Sequence, residues 1–185
     1  MRLTFGPRGI LQIDDATIMF RNFSGAAGKF NKEGDRSFHL LIDGGEVIDG
    51  NKRREVSAEE MADILAKDTN KFGVGWNVKS RESNDGDVYY HMMVKVRFNE
   101  RGPRVYMISG RARNTLGEDK IHELDNCSIA SVDLDIRPYD DEINGKPFRS
   151  AYLQSMHVVQ EVDRFAARYA EEEFPGEDPF DDDIF

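Results

Sequence analysis

This sequence predicts a mainly β domain, a barrel or sandwich with one or two short helices and a flexible acidic C-terminal tail. Three observations lead there. Two segments alternate apolar and polar residues with a period of two, turn signals separate a series of such segments, and residues 171–185 hold acid without base. The chain has 185 residues, 39% hydrophobic and 32% charged, which suits one domain with a proper core and argues against wholesale disorder.

The first strand candidates are residues 16–23 and 36–42. Between them, Gly25-Ala26-Ala27-Gly28-Lys29 invites comparison with a phosphate loop. Only two residues separate its glycines where four are needed, and Phe30 follows the lysine in place of Ser or Thr. It is a glycine-rich connection. A helix follows, with Ser57 as cap, Glu60 completing a capping box, and Met61, Ile64 and Leu65 forming a short apolar stripe. Residues 74–81 are the next strand candidate, and the segment ending at Phe98 is the clearest. There Val88, Tyr90, Met92, Val94, Val96 and Phe98 fall on one face, while Tyr89, His91, Met93, Lys95 and Arg97 fall on the other. Beyond 103–109, residues 130–137 repeat the pattern, with Ala130, Val132, Leu134 and Ile136 inward, and 149–160 closes the series.

Asn84-Asp85-Gly86, the run Asn99 to Pro103, and Asn144-Gly145 supply the positive-φ or φ-fixed residues that hairpins need. Six or seven strands at this spacing indicate the barrel or sandwich. A second helical stretch, 161–172, puts Val162, Phe165, Ala166 and Tyr169 on one side, and both apolar stripes are read as docking on the sheet. After Phe174, Pro175-Gly176 and the acid run predict the flexible tail.

The formal net charge of −10 misleads as an average. Eight acids and no base lie in 171–185, which leaves 25 basic against 27 acidic residues in 1–170. Residues 76–113 carry eight Lys or Arg against four Asp or Glu. The molecule is a near-neutral body with a basic middle and an acidic tip, a sign asymmetry that marks an interaction tail. No run approaches the length of a membrane span. The start reaches Asp14 and Asp15 without an apolar signal core, and the single cysteine, Cys127, fits a reducing cytoplasm. His39, His91, His122 and His157 lie far apart without ligand spacing, and no catalytic signature appears. Asp133 and Asp135, two apart on a strand, are read as a solvated face.

The outward side of 88–98 is where chemistry converges. Tyr89, His91, Lys95 and Arg97 place rings and cations together, with Trp76, Lys79 and Arg81 before the turn and Arg104 and Tyr106 after it. Flexible single strands are held this way: cations track phosphates while rings stack on unpaired bases, at about 1–3 kcal/mol each. Trp76 alternates with Val74 and Val78 and so also fits a core position, and Tyr106 equally fits an edge of the barrel. Two other functions compete. One is a β-rich interaction or virion-assembly module that uses the tail as a docking peptide. The other is a metal-dependent nuclease built on Asp133 and Asp135.

The tail ends Asp181-Asp182-Asp183-Ile184-Phe185. Aspartates followed by apolar residues and a final Phe resemble the ends of bacterial single-stranded DNA-binding proteins, and related phage proteins also end in an acidic run and a Phe. As a whole the chain looks like a phage single-stranded DNA-binding protein. The likeness is carried by Asn22-Phe23, Lys29-Phe30-Asn31, Gly34-Asp35-Arg36, Gly75-Trp76-Asn77-Val78-Lys79 and Ala151-Tyr152-Leu153-Gln154. Unlike the bacterial group, it has no Pro between Ile184 and Phe185, and its body does not read as that group's short domain. That argues against bacterial-type tetramers and leaves a homodimer open.

The resemblance implies an oligonucleotide-binding (OB) Greek-key barrel over 1–160, a short helical extension over 161–173 and the tail over 174–185. It implies sequence-independent binding of single-stranded DNA in phage replication, recombination and repair, in the host cytoplasm, without catalysis, cofactor or metal. The groove would comprise Lys29, Trp76, Lys79, Arg81, Tyr89, His91, Lys95, Arg97, Arg104 and Tyr106. The tail residues Asp181, Asp182, Asp183, Ile184 and Phe185 would recruit replication proteins such as polymerase, helicase or primase. Independently, a tethered anionic segment beside a cationic groove has a high effective concentration and competes with phosphate.

Overall fold

Alternation becomes sheet wherever one side of a strand has a core to face. The computed structural model describes residues 1–162 and 165. Its strands are β1 (Arg2–Phe5), β2 (Leu11–Asp14), β3 (Ile18–Asn22), β4 (Arg36–Ile42), β5 (Gly45–Asp49), β6 (Lys52–Val56), β7 (Val78–Glu82), β8 (Val88–Val96), β9 (Arg104–Ser109), β10 (Ala112–Thr115), β11 (Ile129–Ile143) and β12 (Lys146–Gln160). One α-helix, α1 (Ala58–Lys67), is present among the described residues. Most of the 161–173 extension and all of the 174–185 tail lie outside them; of the extension's apolar stripe, Val162 and Phe165 are described and both are exposed.

All strands join one twelve-stranded sheet along the path β3-β4-β8-β12-β11-β2-β1-β5-β6, with β7 added to β8 and the β9-β10 hairpin added to β12. The mainly β fold is as predicted, and among the described residues the sheet does not close, because β3 and β6 end the path without pairing to each other. The reason lies in the corner between β2 and β3. Ile13 pairs with Leu134 of β11, Asp15 then takes a φ of 54°, and Ile18 pairs with Leu40 of β4. One backbone bond at 2.8 Å, from the Ala16 N–H to the Val132 carbonyl, holds this corner, and no ladder joins β3 to β11.

The predicted inward positions form the core. Met92, Val94, Val96, Val132, Leu134 and Ile136 are buried against Leu3, Leu11, Phe38 and Leu40, and Phe23 stacks on Phe38 at 5.3 Å. Each such side chain contributes about 1.5–3 kcal/mol by leaving water. The helix begins as its cap predicts, with Ser57 Oγ accepting from the Glu60 N–H at 3.2 Å, and it buries Met61 and Leu65. Immediately after it the chain passes so close to its last turn that a Cβ at Gly75 would collide with the Ala66 carbonyl.

The β11-β12 hairpin turns at Asn144 and Gly145 (φ 52° and 76°) and extends well past its ladders with other strands. Arg149 ties this arm down. Its guanidinium donates to the Asp140 carboxylate at 2.7 Å and to the Asp68 carbonyl at 2.8 Å, and it lies 4.9 Å from the centre of the Trp76 ring. The same guanidinium, more than any other group, holds the Asp140 carboxyl below its ordinary pKa. With 8% of the Arg149 side chain and 25% of the Asp140 side chain exposed, Arg149→Ala leaves a partly buried carboxylate without its cation and removes the group that packs on Trp76. The expected cost is about 3 kcal/mol, read as a lower urea midpoint, whereas Lys146→Ala at the exposed tip should leave the midpoint unchanged.

Candidate nucleic-acid interface

Because Met92, Val94 and Val96 face the core, His91, Met93, Lys95 and Arg97 face out. Register then determines their neighbours. On one edge, β4 sets Ser37 beside Lys95, His39 beside Met93 and Leu41 beside His91. On the other edge, β7 sets Lys79 beside His91 and Arg81 beside Tyr89. Past the end of β7, β12 takes over this edge with Tyr152 beside Lys95, and β11 follows with Arg137 beside Tyr152. One outward face therefore gathers residues from β3, β4, β7, β8, β11 and β12.

Its rings touch in series. Tyr89 and His91 have centroids 5.8 Å apart, His91 and His39 5.0 Å, and His39 and Phe20 5.3 Å with an edge-on approach. Arg81 lies over Phe20 at 5.8 Å. Across the face, Tyr152 has Arg137 at 4.9 Å and Lys95 at 5.8 Å, and Tyr139 meets it edge-on at 6.0 Å. Between these groups runs a groove of about 230 Å³ lined by His39, Lys79, His91, Lys95, Phe148 and Ser150, among others. None of Lys79, Arg81, Lys95, Arg97 and Arg137 forms an ion pair among the described residues, whereas Arg2, Arg36, Arg53, Lys67 and Arg149 all do.

The two histidines share a hydrogen bond between their Nδ1 atoms at 2.8 Å, which requires one ring to donate and the other to accept. Burial lowers the pKa of His39, and the neighbouring His91, Lys79 and Arg81 lower it further. Burial likewise lowers His91, with Arg81 and Lys79 adding to it. Both rings are thus held neutral near pH 7, and the positive charge of the face comes from lysine and arginine alone.

The structure brings Lys79, Arg81, Tyr89, His91, Lys95 and Arg97 together as the sequence analysis expects. Lys29 lies on the exposed β3-β4 loop. Arg104 and Tyr106 face outward on β9 beside Ser155 and His157, further along β12, with Arg113 stacked at 4.2 Å on Tyr106. Two expectations need correction. Trp76 lines the floor of the groove but is only 3% exposed and donates its Nε1–H to Asp68 at 2.9 Å, so its ring packs in the core beneath Arg149 and presents little surface to a base. His91 is 8% exposed, so it supports the surface beside Tyr89 and His39 more than it presents a ring of its own. Asp181, Asp182, Asp183, Ile184 and Phe185 lie outside the described residues. Asp133 and Asp135 are already bonded, to the Asp15 N–H at 2.9 Å and to the Ser155 hydroxyl at 3.2 Å.

Sequence reasoning missed Phe20, His39, Arg137, Tyr139, Phe148 and Tyr152. Strand parity in 130–137 already sets Arg137 outward, though not in the groove, and the same parity in 36–42 finds His39. Phe20 had no such signal. Strict alternation puts it inward with Ile18, but a bulge and a φ of 51° turn it out, where it is 52% exposed.

The family model described as "Putative phage ssDNA-binding domain" matches residues 4–183. Among curated proteins, none matches. Three solved structures of the single-stranded DNA-binding protein from bacteriophage Enc34 are similar, each with a TM-score of 0.50. The C-terminally truncated form is 14% identical, covering 86% of this chain and 90% of that one. The form in complex with single-stranded DNA is 15% identical at the same coverages. The third is 14% identical and covers 86% and 85%. At such identities the likeness is one of fold.

The histidine pair predicts a pH dependence. Folded His39 and His91 bind protons less readily than their unfolded counterparts, whose pKa is about 6.5. Stability is therefore full above about 6.5 and is lost as pH falls toward the lowered folded values. Urea midpoints should fall between about pH 7 and about pH 5, and the imidazole signals should titrate below 6.5; titration at or above that value would contradict the pairing.

Proposed function

We propose that this chain, which belongs to the phage ssDNA-binding domain family, coats and protects single-stranded DNA without strong sequence preference during phage DNA replication, recombination and repair. The single observation that carries this reading is the outward face itself. Phe20, His39, Tyr89, Tyr139, Phe148 and Tyr152 interleave there with Lys79, Arg81, Lys95, Arg97 and Arg137, none of which is neutralised by a carboxylate among the described residues. Cations spaced along a sheet suit phosphates at successive nucleotides, and exposed rings suit unstacked bases. The solved complex of the similar phage protein with single-stranded DNA supports the same reading.

The open sheet is read as an oligonucleotide-binding barrel that uses this face and the β3-β4 loop. No step of catalysis is assigned: binding and protection are the whole activity, exercised in the host cytoplasm. The acidic segment 171–185, with its eight carboxylates, occupies the face when DNA is absent and competes with DNA phosphate for it. Once DNA displaces it, Ile184 and Phe185 with Asp181, Asp182 and Asp183 dock on replication proteins, an apolar pair filling a pocket and acids meeting Lys or Arg.

Two measurements test this. Lys95→Ala and Arg97→Ala should each weaken binding of an oligothymidylate and reduce the slope of log K against log salt by about 0.7, the contribution of one phosphate on a single strand; unchanged slopes would remove these residues from the phosphate path. Deleting residues 171–185 should tighten DNA binding at low salt, by about tenfold or more, and abolish capture of replication proteins. Equal or weaker DNA affinity would refute the competition.

A further inference from the structure

Phe30 is the most exposed large apolar residue among those described, at 91%. Such exposure usually accompanies a loose loop, but this loop is built. Gly28 and Asn31 exchange backbone bonds at 2.9 and 3.3 Å, so Lys29 and Phe30 form the tip of a two-residue turn. The Asn31 side-chain amide reaches the carbonyls of Ala26, Lys32 and Asp35 at 2.9, 3.1 and 2.9 Å. Asn22 Oδ1 accepts from the Ala26 N–H at 2.9 Å, and the Gly34 N–H donates to the Gly25 carbonyl at 2.8 Å. At the base, the Asp125 carboxylate accepts from the N–H groups of Phe23 and Ser24 at 2.6 and 3.0 Å. Gly25 suits this closure, since its φ is 69° and a Cβ there would press within 3.1 Å of the Gly34 backbone.

The structure thus organises a polar scaffold around a ring that touches no core. Lys29 Nζ lies 5.2 Å from the ring centre. The loop precedes β4, whose first residue, Arg36, pairs with Val96, so it leaves the sheet at the end of β8 that carries Arg97.

We propose that Phe30 is a specificity-determining residue that tells unpaired from paired DNA by stacking on a single exposed base, while Lys29 beside it holds a phosphate of either form. The inference deepens the single-strand reading given above and rests on it. In a duplex both faces of every internal base are covered by neighbours, so a phenyl ring on a fixed stalk finds no partner there. Phosphates are present in both forms, so the lysine does not discriminate. Asn31 acts through Phe30 as a positioning residue.

The test uses the full chain and three labelled probes of equal length: an oligothymidylate, a backbone of abasic sites, and a blunt duplex. Phe30→Ala should weaken the oligothymidylate about 5- to 150-fold, the range of one stacked base, and leave the other two unchanged. Lys29→Ala should weaken all three. Phe30→Trp places an indole at the tip, and subtracting the change seen in the wild-type chain, whose one tryptophan is Trp76, isolates the tip's emission. It should be quenched by oligothymidylate and not by the abasic strand, and Asn31→Ala should reduce that quenching in the Phe30→Trp chain. Equal losses on all probes, no loss on any, or no quenching would overturn the proposal while leaving the single-strand function standing. Failure of the wild-type chain to bind oligothymidylate would instead sink the function itself, and this inference with it.

Discussion

β8 has two edges occupied in different ways, and the rest of the site depends on that division. β4 covers one edge from Tyr90 to Val96, while the other is shared, β7 pairing from Val88 to Met92 and β12 at Val94 and Lys95. A slip of one residue in any of these ladders would exchange faces, sending Lys95 and His91 inward and Val94 and Met92 out. Burial forbids it, because Met92, Val94 and Val96 are at most 4% exposed and a slip would forfeit the transfer free energy of all three. The apolar side of the strand thus stabilises the register, and the cationic side inherits its geometry from it.

That inheritance explains a surface costly on its own terms. Phe20, Met93 and Tyr139 are all more than two-fifths exposed, and contiguous exposed apolar area is usually functional in a soluble domain. Phe20 in addition holds a left-handed backbone conformation, worth roughly 1–2 kcal/mol of strain in a residue with a Cβ. The edge-on contact with His39 and the overlying Arg81 offset part of this cost and fix where the ring stands. Lys79 and Arg81 reinforce burial in keeping the paired imidazoles neutral, so protonation near pH 7 does not disturb the ring series.

The parts of this arrangement legible in the sequence are those governed by local periodicity. Residues 36–42 match β4, the alternation around 88–98 matches β8, and Ser57, Met61 and Leu65 act in α1 as their spacing implies. The missed strands have little periodicity to show. β1 and β2 hold only two apolar alternations each, and β6 reads Lys52-Arg53-Arg54-Glu55-Val56, a charged edge strand protected by repulsion more than recognised by pattern. Of the hairpin arm the turn at Asn144-Gly145 is legible, but its strands are not, because Tyr139 to Phe148 carries little apolar alternation and is held by a long-range network through Arg149, Asp68 and Asn70. Trp76 is legible in part: its alternation with Val74 and Val78 fits the buried position it takes, while its partners, Asp68 and Arg149, are set by tertiary packing.

The sequence tolerance proposed for the face fits the side chains that line it. Base identity is read by side chains that offer paired donors and acceptors to base edges, typically Asn, Gln, Asp, Glu or a free bidentate Arg. Among the described residues that line the groove, Asn77 is the one amide and there is no carboxylate. The imidazole pair spends one ring nitrogen of each member on the other, Lys95 donates to Ser150, and Arg137 lies over Tyr152. What remains for a nucleic acid is charge for its backbone and flat apolar surface for its bases, both common to every nucleotide. The rings are already in mutual contact, so little side-chain entropy is lost when a strand arrives. An ordered face of charge and flat rings suits the proposed function, in which exposure of the bases counts for more than their identity.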